Sequence, residues 1–394
     1  MSEKIKLGII GVGNMGSGHV QNIKEGKCPE IELVAIADTN PDRLNWAKEQ
    51  NYAENITYFN TAEEMLDSGI INACIIAVPH YDHPKYAIEC MKRSIHVMVE
   101  KPAGVYTKQV REMNEEAEKH PEVVYGMMFN QRTVPVHKKL RELVQSGKYG
   151  EIRRTNWIIT NWYRPQSYYD GGDWRATWSG EGGGVLLNQA PHQLDLWQWI
   201  CGMPVKVDAH LKFGKWHDIE VEDDATIYVE YSNGATGVFI TTTGDVAGSN
   251  RFEIQMDKAK FVLDNYRLYM TEYEMTEQEF SKSNQPAFVN MKTETHEVEI
   301  TEEGPNPQHV GVLNAWADAI LHGGKLIAEG KEGIKALTIS NAMHLSAFLG
   351  KEVEIPFDEE LYYEELMKRV ATSKKKVGVK AVFSDLSNTY SGSK

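Results

Sequence analysis

The chain has 394 residues, 41% hydrophobic and 25% charged, which are ordinary globular values and too long a chain for one core of common size. Its formal net charge of −14 excludes non-specific nucleic-acid binding, which needs surplus Lys and Arg to neutralise phosphates. No apolar run approaches the roughly 18 residues of a membrane span, and Cys28, Cys74, Cys90 and Cys201 have neither metal-ligand nor disulfide-framework spacing.

Residues 5–10 form an apolar run that predicts a strand, with no charged leader before it, so a cytosolic enzyme is expected. Gly11-Val12-Gly13-Asn14-Met15-Gly16 follows, and a helix-like stretch covers 15–25. In this setting the first glycine permits the tight turn and the second lets the backbone approach a pyrophosphate. The third allows close helix–strand packing, and the helix N-terminus faces the phosphates. A second strand over 31–37 leads to Asp38, 22 residues after Gly16. A carboxylate there binds adenosine ribose hydroxyls and repels a 2′-phosphate, which favours NAD over NADP. Pro41 suits the first turn of a helix, on which Arg43 reads as a solvated charge. Thr61-Ala62-Glu63-Glu64 is a capping-box pattern for a short helix. Buried strands are expected over 73–78, where Cys74 reads as core packing, and over 95–99, with a helix around 84–92 between them. This alternation predicts a parallel sheet covered on both faces, a Rossmann-type α/β domain over residues 1–125.

Beyond residue 125 the pattern changes. A helix near 136–146 leads into period-two segments over 152–162, 205–213, 225–231, 236–243, 252–256 and 261–264. Ser232-Asn233-Gly234 marks a hairpin, because Asn and Gly accept positive φ at little cost. These features predict an α+β domain over 126–358 with a large, open, mostly antiparallel sheet, closed by helices near 310–321 and 331–349. A helix over 359–370, then Lys374-Lys375-Lys376 and a polar end, forms a C-terminal extension over 359–394 that reads as an arm onto a neighbouring subunit or a frayed end.

Six of the nine tryptophans fall between residues 157 and 199. Trp157, Trp197 and Trp199 read as packing. Tyr163, Arg164, Trp174 and Arg175 lie in or beside the glycine-rich loop that feeds the Gly182-Gly183-Gly184 stretch, where aromatic faces and guanidinium groups suit a sugar ring and its hydroxyls. His80, His83 and His309 lie near helix starts, and His83 before Pro84 reads as a cap more readily than a ligand. No metal is expected.

Glu100-Lys101-Pro102 ends the 95–99 strand, and ligands of open α/β sheets collect beyond such carboxyl ends. This tripeptide, the Gly11–Gly16 loop and Gly182-Gly183-Gly184…His192-x-x-Asp195 together closely resemble the Gfo/Idh/MocA oxidoreductase family. The resemblance covers roughly the first 355 residues. Smaller echoes are Ala77-Val78-Pro79…His83 and Gly126…Asn130-Gln131-Arg132. It implies an NAD-dependent dehydrogenase in which Val78, Pro79, His83, Glu100, Lys101 and Asn130 join the glycine loop and Asp38 around the cofactor. It further implies that Lys101 orients the substrate hydroxyl and His192 takes its proton. The family commonly carries Asp four residues before this histidine, and here the residue is Asn188. An Asp–His relay is therefore not expected, and Asn188 resembles members that oxidise sugar C3 hydroxyls. The implied substrate is a sugar, glycoside or polyol. NAD-retaining glycoside cleavage by transient C3 oxidation and inositol oxidation are the alternatives, whereas a sensing regulator would have lost Lys101 or His192. Self-association through the open sheet, as a homodimer or homotetramer, is implied as well.

Overall fold

Alternate residues of the first strands face opposite ways, and both sets are apolar. The computed structural model describes residues 4–50, 55–301, 307–374 and 376. Strands β1 (Ile5–Ile10), β2 (Ile31–Ala37), β3 (Thr57–Phe59), β4 (Ala73–Ile76), β5 (His96–Val99) and β6 (Tyr125–Met127) form a parallel sheet in the order 3-2-1-4-5-6. Ile5, Leu7, Ile9, Leu33 and Ile75 feed one core, while Ile10, Cys74, Ile76, Val97 and Val99 feed the other. The second core is covered by α3 (Ala62–Asp67), α4 (His83–Met91) and α5 (Thr107–Lys119). The first is covered by α1 (Asn14–Lys24) and α2 (Pro41–Glu49). Thr61 caps α3 by accepting the Glu64 N–H. The chain order reverses between β1 and β4, which opens a crevice at the carboxyl ends of those strands.

A short link and α6 (Pro135–Gln145) lead to β7 (Ile152–Ile159), α7 (Gln166–Asp170) and α8 (Pro191–Cys201). Then follow β8 (Lys206–Phe213), β9 (Glu222–Glu230), β10 (Thr236–Thr242), β11 (Asn250–Met256), β12 (Ala259–Asp264) and β13 (Arg267–Tyr273). After α9 (Glu277–Lys282) and β14 (Thr293–Glu297) come α10 (Gln308–His322), α11 (Gly333–Leu349), β15 (Val353–Glu354) and α12 (Glu359–Val370). The second sheet has nine strands in the order 14-13-12-11-7-10-9-8-15, antiparallel except where β10 lies parallel to β7. Its covered face packs on α8 and α11. Trp157 stacks on Phe252 at 4.3 Å and Trp197 on Phe239 at 5.4 Å, so these two tryptophans are core. Trp199 packs against the guanidinium groups of Arg132 and Arg141. The hairpin joining β9 to β10 turns through Gly234 at φ +83°, as its sequence predicts.

Two placements differ from expectation. Helix α10 does not close the second sheet; Val312, Leu313, Trp316 and Ala317 complete the first core beneath β1, and the Trp316 indole donates to Val124 O. Its apolar stripe fits either sheet, and only the tertiary path decides between them. The extension is no arm as far as it is described. α12 buries Tyr362 and Leu366 in its own chain, and Glu359 and Glu360 pair with Arg111 and Lys108 of α5. The residues of the polar end, 377–394, lie outside the described residues. Among the described residues no helix is long and apolar enough to cross a membrane.

Candidate active site

A cleft of about 1270 Å³ runs from the glycine loop to the tryptophan-rich loop, more than one small ligand fills. At one end it is lined by Gly11, Gly13, Asn14, Met15, Asp38, Val78 and Pro79. The three loop glycines serve different needs. A Cβ on Gly16 would sit 1.9 Å from Gly11 O, so this glycine is required by packing and lies behind the wall. A Cβ on Gly13 would meet no protein atom within 4 Å, so packing does not require this glycine, and its backbone lies open to the cleft for a ligand to approach. Asp38 shapes the loop as well as facing the cleft: it accepts the Val12 N–H at 2.8 Å and the Asn40 N–H at 2.8 Å. Open room at Gly13, a helix N-terminus behind it and a carboxylate at the end of β2 fit a dinucleotide with free ribose hydroxyls. Arg43 is not simply a solvated charge. It lines the cleft within electrostatic range of Asp38 and Arg175, because the first turn of α2 leans over the crevice.

Lys101 and Glu100 line the middle of the cleft at the end of β5. Glu100 is buried, and its carboxylate meets the His19 ring of α1 at 2.7 Å. Burial alone would push this acid up, but His19, His309 and Lys101 together hold it down at about 2. His309 of α10 packs edge-on to His19, and burial lowers its pKa to about 4. His19 and His309 thus brace the Glu100-Lys101 turn from behind. Sequence reading gave His19 no role, although its place on the first helix after the glycine loop was a usable signal. Lys101 is held below its usual value by burial, opposed by Glu100, and its Nζ donates to Asn188 O at 2.9 Å.

Asn188 reaches the wall from a turn and not from a helix. Pro191 is the first residue of α8, so residues 188 and 192 do not share a helical face. The turn is held by Gly184 O, which accepts the N–H groups of Leu187 and Asn188. The glycine triplet is set by packing: a Cβ on Gly184 would lie 1.9 Å from Glu222 O, and one on Gly182 2.3 Å from a Val105 methyl. The Glu222 carboxylate accepts Gly184 and Leu186 N–H and meets His344 at 3.0 Å, anchoring this loop to α11. His192 is 2% exposed and stands one layer behind the cleft wall, edge-on to Phe129. Burial and the neighbouring Lys101 hold it well below its usual pKa, so the ring is neutral. Asp195, three residues on, makes a buried two-point ion pair with Arg132, at 2.8 and 2.7 Å. The Asn130-Gln131-Arg132 motif is thereby explained: the pair fixes α8, and with it His192, against the segment that leaves β6.

The far end of the cleft is lined by Trp162, Arg164, Tyr168, Trp174, Arg175, Asn188 and Gln189. Arg175 lies 4.4 Å from the Tyr168 ring centre and 4.7 Å from that of Trp174, and donates to the Tyr168 hydroxyl at 2.7 Å. Arg164 faces the same tyrosine at 5.2 Å. Two of the residues expected here fall elsewhere, and a third has a different role. Tyr163 is 42% exposed and absent from the wall, since alternation along the chain turns it away from Trp162 and Arg164. Asn130 is fully buried and off the wall, bonded to Gln308 of α10. His83 reaches the wall, but its ring spans the carbonyl oxygens of Val78 (2.8 Å) and Pro102 (2.6 Å), so it staples two cleft loops together and does not cap α4. Glu181, Tyr168, Gln189 and Trp162 are wall or near-wall residues that sequence reading did not select. Glu181 is 2% exposed and accepts an N–H from the Asn188 amide and another from the Ala176 backbone. Among the described residues no cluster of His, Cys, Asp or Glu could hold a metal ion.

Comparison with known proteins agrees with this construction. Residues 5–127 match the oxidoreductase family with an NAD-binding Rossmann fold, and residues 137–262 match the GFO/IDH/MocA C-terminal domain. Myo-inositol 2-dehydrogenase of Thermotoga maritima is 27% identical over 271 residues, 67% of this chain and 76% of that protein. In fold, the chain is similar to the WlbA dehydrogenase of Bordetella pertussis in complex with NADH and UDP-GlcNAcA, with a TM-score of 0.75 at 24% identity over 91% of this chain and 99% of that one. A levoglucosan dehydrogenase in complex with NADH gives a TM-score of 0.73 at 20% identity, covering 90% of this chain and 100% of that one. With the two family models matching one after the other along the chain and both sheets in place, the chain belongs to the Gfo/Idh/MocA family of oxidoreductases and is an NAD-dependent dehydrogenase.

Proposed function

We propose that the protein oxidises a secondary hydroxyl of a sugar or glycoside, with C3 as the carbon attacked. The observation that carries this reading is the position of Lys101 Nζ, 2.9 Å from Asn188 O, where the cofactor end of the cleft meets the aromatic and guanidinium wall. When bound, NAD supplies the acceptor for the hydride lost from the carbinol carbon. The chain's own groups do the rest. An ammonium has three N–H groups, and Asn188 O takes one, so Lys101 has donors left to hold the substrate oxygen. His192, neutral and within electrostatic range of Lys101, is the base to which the hydroxyl proton passes. Trp162, Tyr168 and Trp174 offer faces to a pyranose ring, while Arg164, Arg175 and Gln189 bond its hydroxyls. The products are a ketone, a reduced cofactor and one proton.

Oxidation of an inositol is the second reading, favoured by the curated relative from Thermotoga maritima. A panel of free sugars, methyl and aryl glycosides and inositols, incubated with NAD, tests both while NADH and released aglycone are followed together. Net NADH with a sugar or glycoside, lost in the 3-deoxy analogue, is the expected result; NADH with inositols alone selects the second reading. Aglycone release without net NADH replaces net oxidation by a cycle of oxidation and elimination in which NAD is regenerated. NADH with the 3-deoxy analogue overturns the C3 assignment. We further propose self-association through the open face of the second sheet, where Ile158 and Tyr228 are exposed; a monomer by sedimentation would refute it.

A further inference from the structure

We infer that Glu181 is a positioning residue that orients the Asn188 amide and supplies the counter-charge to Lys101 on the substrate side of the cleft. This rests on the reading of Lys101 and Asn188 given above. Glu181 is deeply buried in the loop between Trp174 and Gly184, where a lone carboxylate is costly unless it is used. Its Oε2 accepts the Ala176 N–H at 2.5 Å, its Oε1 accepts the Asn188 Nδ2–H, and Arg175 Nη1 lies 4.0 Å away. A carboxylate can only accept, so it selects the amino end of the Asn188 amide and turns Oδ1 the other way. There Oδ1 accepts from the Tyr168 hydroxyl and from Gln189 Nε2, both at 3.3 Å, and Tyr168 accepts in turn from Arg175. Each of these bonds pairs one donor with one acceptor, and Tyr168, Arg175, Asn188 and Gln189 all line the cleft. Asn188, whose backbone oxygen holds Lys101, is their hub. Asn188 itself carries no charge. The same residue thus joins Lys101, through its backbone oxygen, to the buried acid Glu181, through its amide; the charge of Glu181 favours the Lys101 ammonium, as that of Glu100 does, while Arg175 opposes it.

Positions 181 and 188 are in direct hydrogen-bond contact, so the charge can be moved from one to the other. The test compares wild type, Glu181→Gln, Asn188→Asp and the double variant Glu181→Gln/Asn188→Asp in the full chain. The titration midpoint of Lys101 is read by competitive acetylation across pH and mass spectrometry, which needs no turnover. Glu181→Gln is expected to lower the Lys101 midpoint by about one unit and the double variant to restore it. With any substrate found in the panel, Glu181→Gln lowers kcat about tenfold or more with NADH affinity unchanged, and the double variant recovers most of it. An unchanged Lys101 midpoint in Glu181→Gln overturns the inference, as does a double variant that folds and binds NADH but restores neither quantity. If Glu181→Gln does not fold, Asn188→Asp alone decides. Beside an ionised Glu181 the new acid shares one proton with it and the midpoint stays in place; a rise of about one unit shows that Glu181 was not supplying the charge. Failure of the substrate panel with a shifted Lys101 midpoint counts against the proposed substrate and leaves the Glu181 assignment standing.

Discussion

At the cofactor end of the cleft, the wall comes from short segments that each follow a strand of one parallel sheet: Gly11–Met15 after β1, Asp38 after β2 and Val78-Pro79 after β4. At the substrate end, Lys101 comes from that sheet, but Trp162, Arg164, Trp174, Arg175 and Asn188 come from irregular chain between β7 and α8. That chain is held in place by remote groups. Glu222 and His344 anchor the glycine triplet, Arg132 and Asp195 clamp α8, and Ser373 ties Ser179 to Glu220. A site built on strand ends inherits the regularity of a sheet, whereas a site built on loops is only as exact as the buried polar contacts that hold them.

The comparison can be broken most sharply at Lys101, where the two ends meet. Lys101→Ala is expected to reduce kcat by roughly 10²–10⁴ while NADH affinity, measured by fluorescence titration, changes little. Equal losses in both would mean that the lysine belongs to the cofactor end. Asp195→Ala removes the two-point partner of buried Arg132 and leaves it only the single ion pair to Glu332, at 2.8 Å. It should cost roughly 3–5 kcal/mol in urea denaturation; a loss below about 1 kcal/mol would show that packing alone holds α8.

Acid should probe both ends. Burial lowers His309, behind the cofactor end, and His137, under the second sheet, to about 4 from the ordinary 6.5. The unfolded chain takes up protons on these groups first, so stability present above pH 6.5 is lost as pH falls from 6.5 towards about 4. Replacing either ring with a non-titrating residue should flatten that dependence, and a slope unchanged in both variants would refute the attribution. The glycine loop separates ligand from packing. Gly16→Ala forces a Cβ against Gly11 O and should destabilise the fold by roughly 1–3 kcal/mol. Gly13→Ala should leave the melting temperature in place and weaken NADH about tenfold, about 1.4 kcal/mol. The smallest effect is expected at the tail, where Ser373→Ala removes hydrogen bonds to Ser179 and Glu220. It should cost roughly 0.5–1.5 kcal/mol of stability and raise KM modestly with kcat unchanged; an unchanged KM would detach the tail from the substrate loop.

The same contrast governs what could be read without the structure. The cofactor end was legible because its pattern is local: apolar strand, glycines at fixed offsets, helix, then an acid at the end of the next strand. Strands β3, β6, β13, β14 and β15 escaped notice: β3 and β6 are three residues long and β15 two, β14 is exposed throughout and carries no apolar alternation, and β13 buries only Leu268 and Met270. At the substrate end, Arg164, Trp174, Arg175 and Asn188 were legible from composition and family motif, and the structure puts all four on the wall. Tyr163 and Asn130 were misplaced and Glu181 was missed, because which way a loop residue points depends on partners far along the chain.

From the sequence alone came the parallel and mostly antiparallel sheets, the dinucleotide loop and Glu100-Lys101 at a strand end. Each is dictated by periodicity or by backbone geometry within a few residues. Tertiary structure decided the rest: that α10 serves the first sheet, that His83 is a staple, that His192 stands behind the wall, and that Glu181 meets Asn188. Those outcomes turn on burying polar groups only where a partner waits, and such partners are chosen by the fold as a whole.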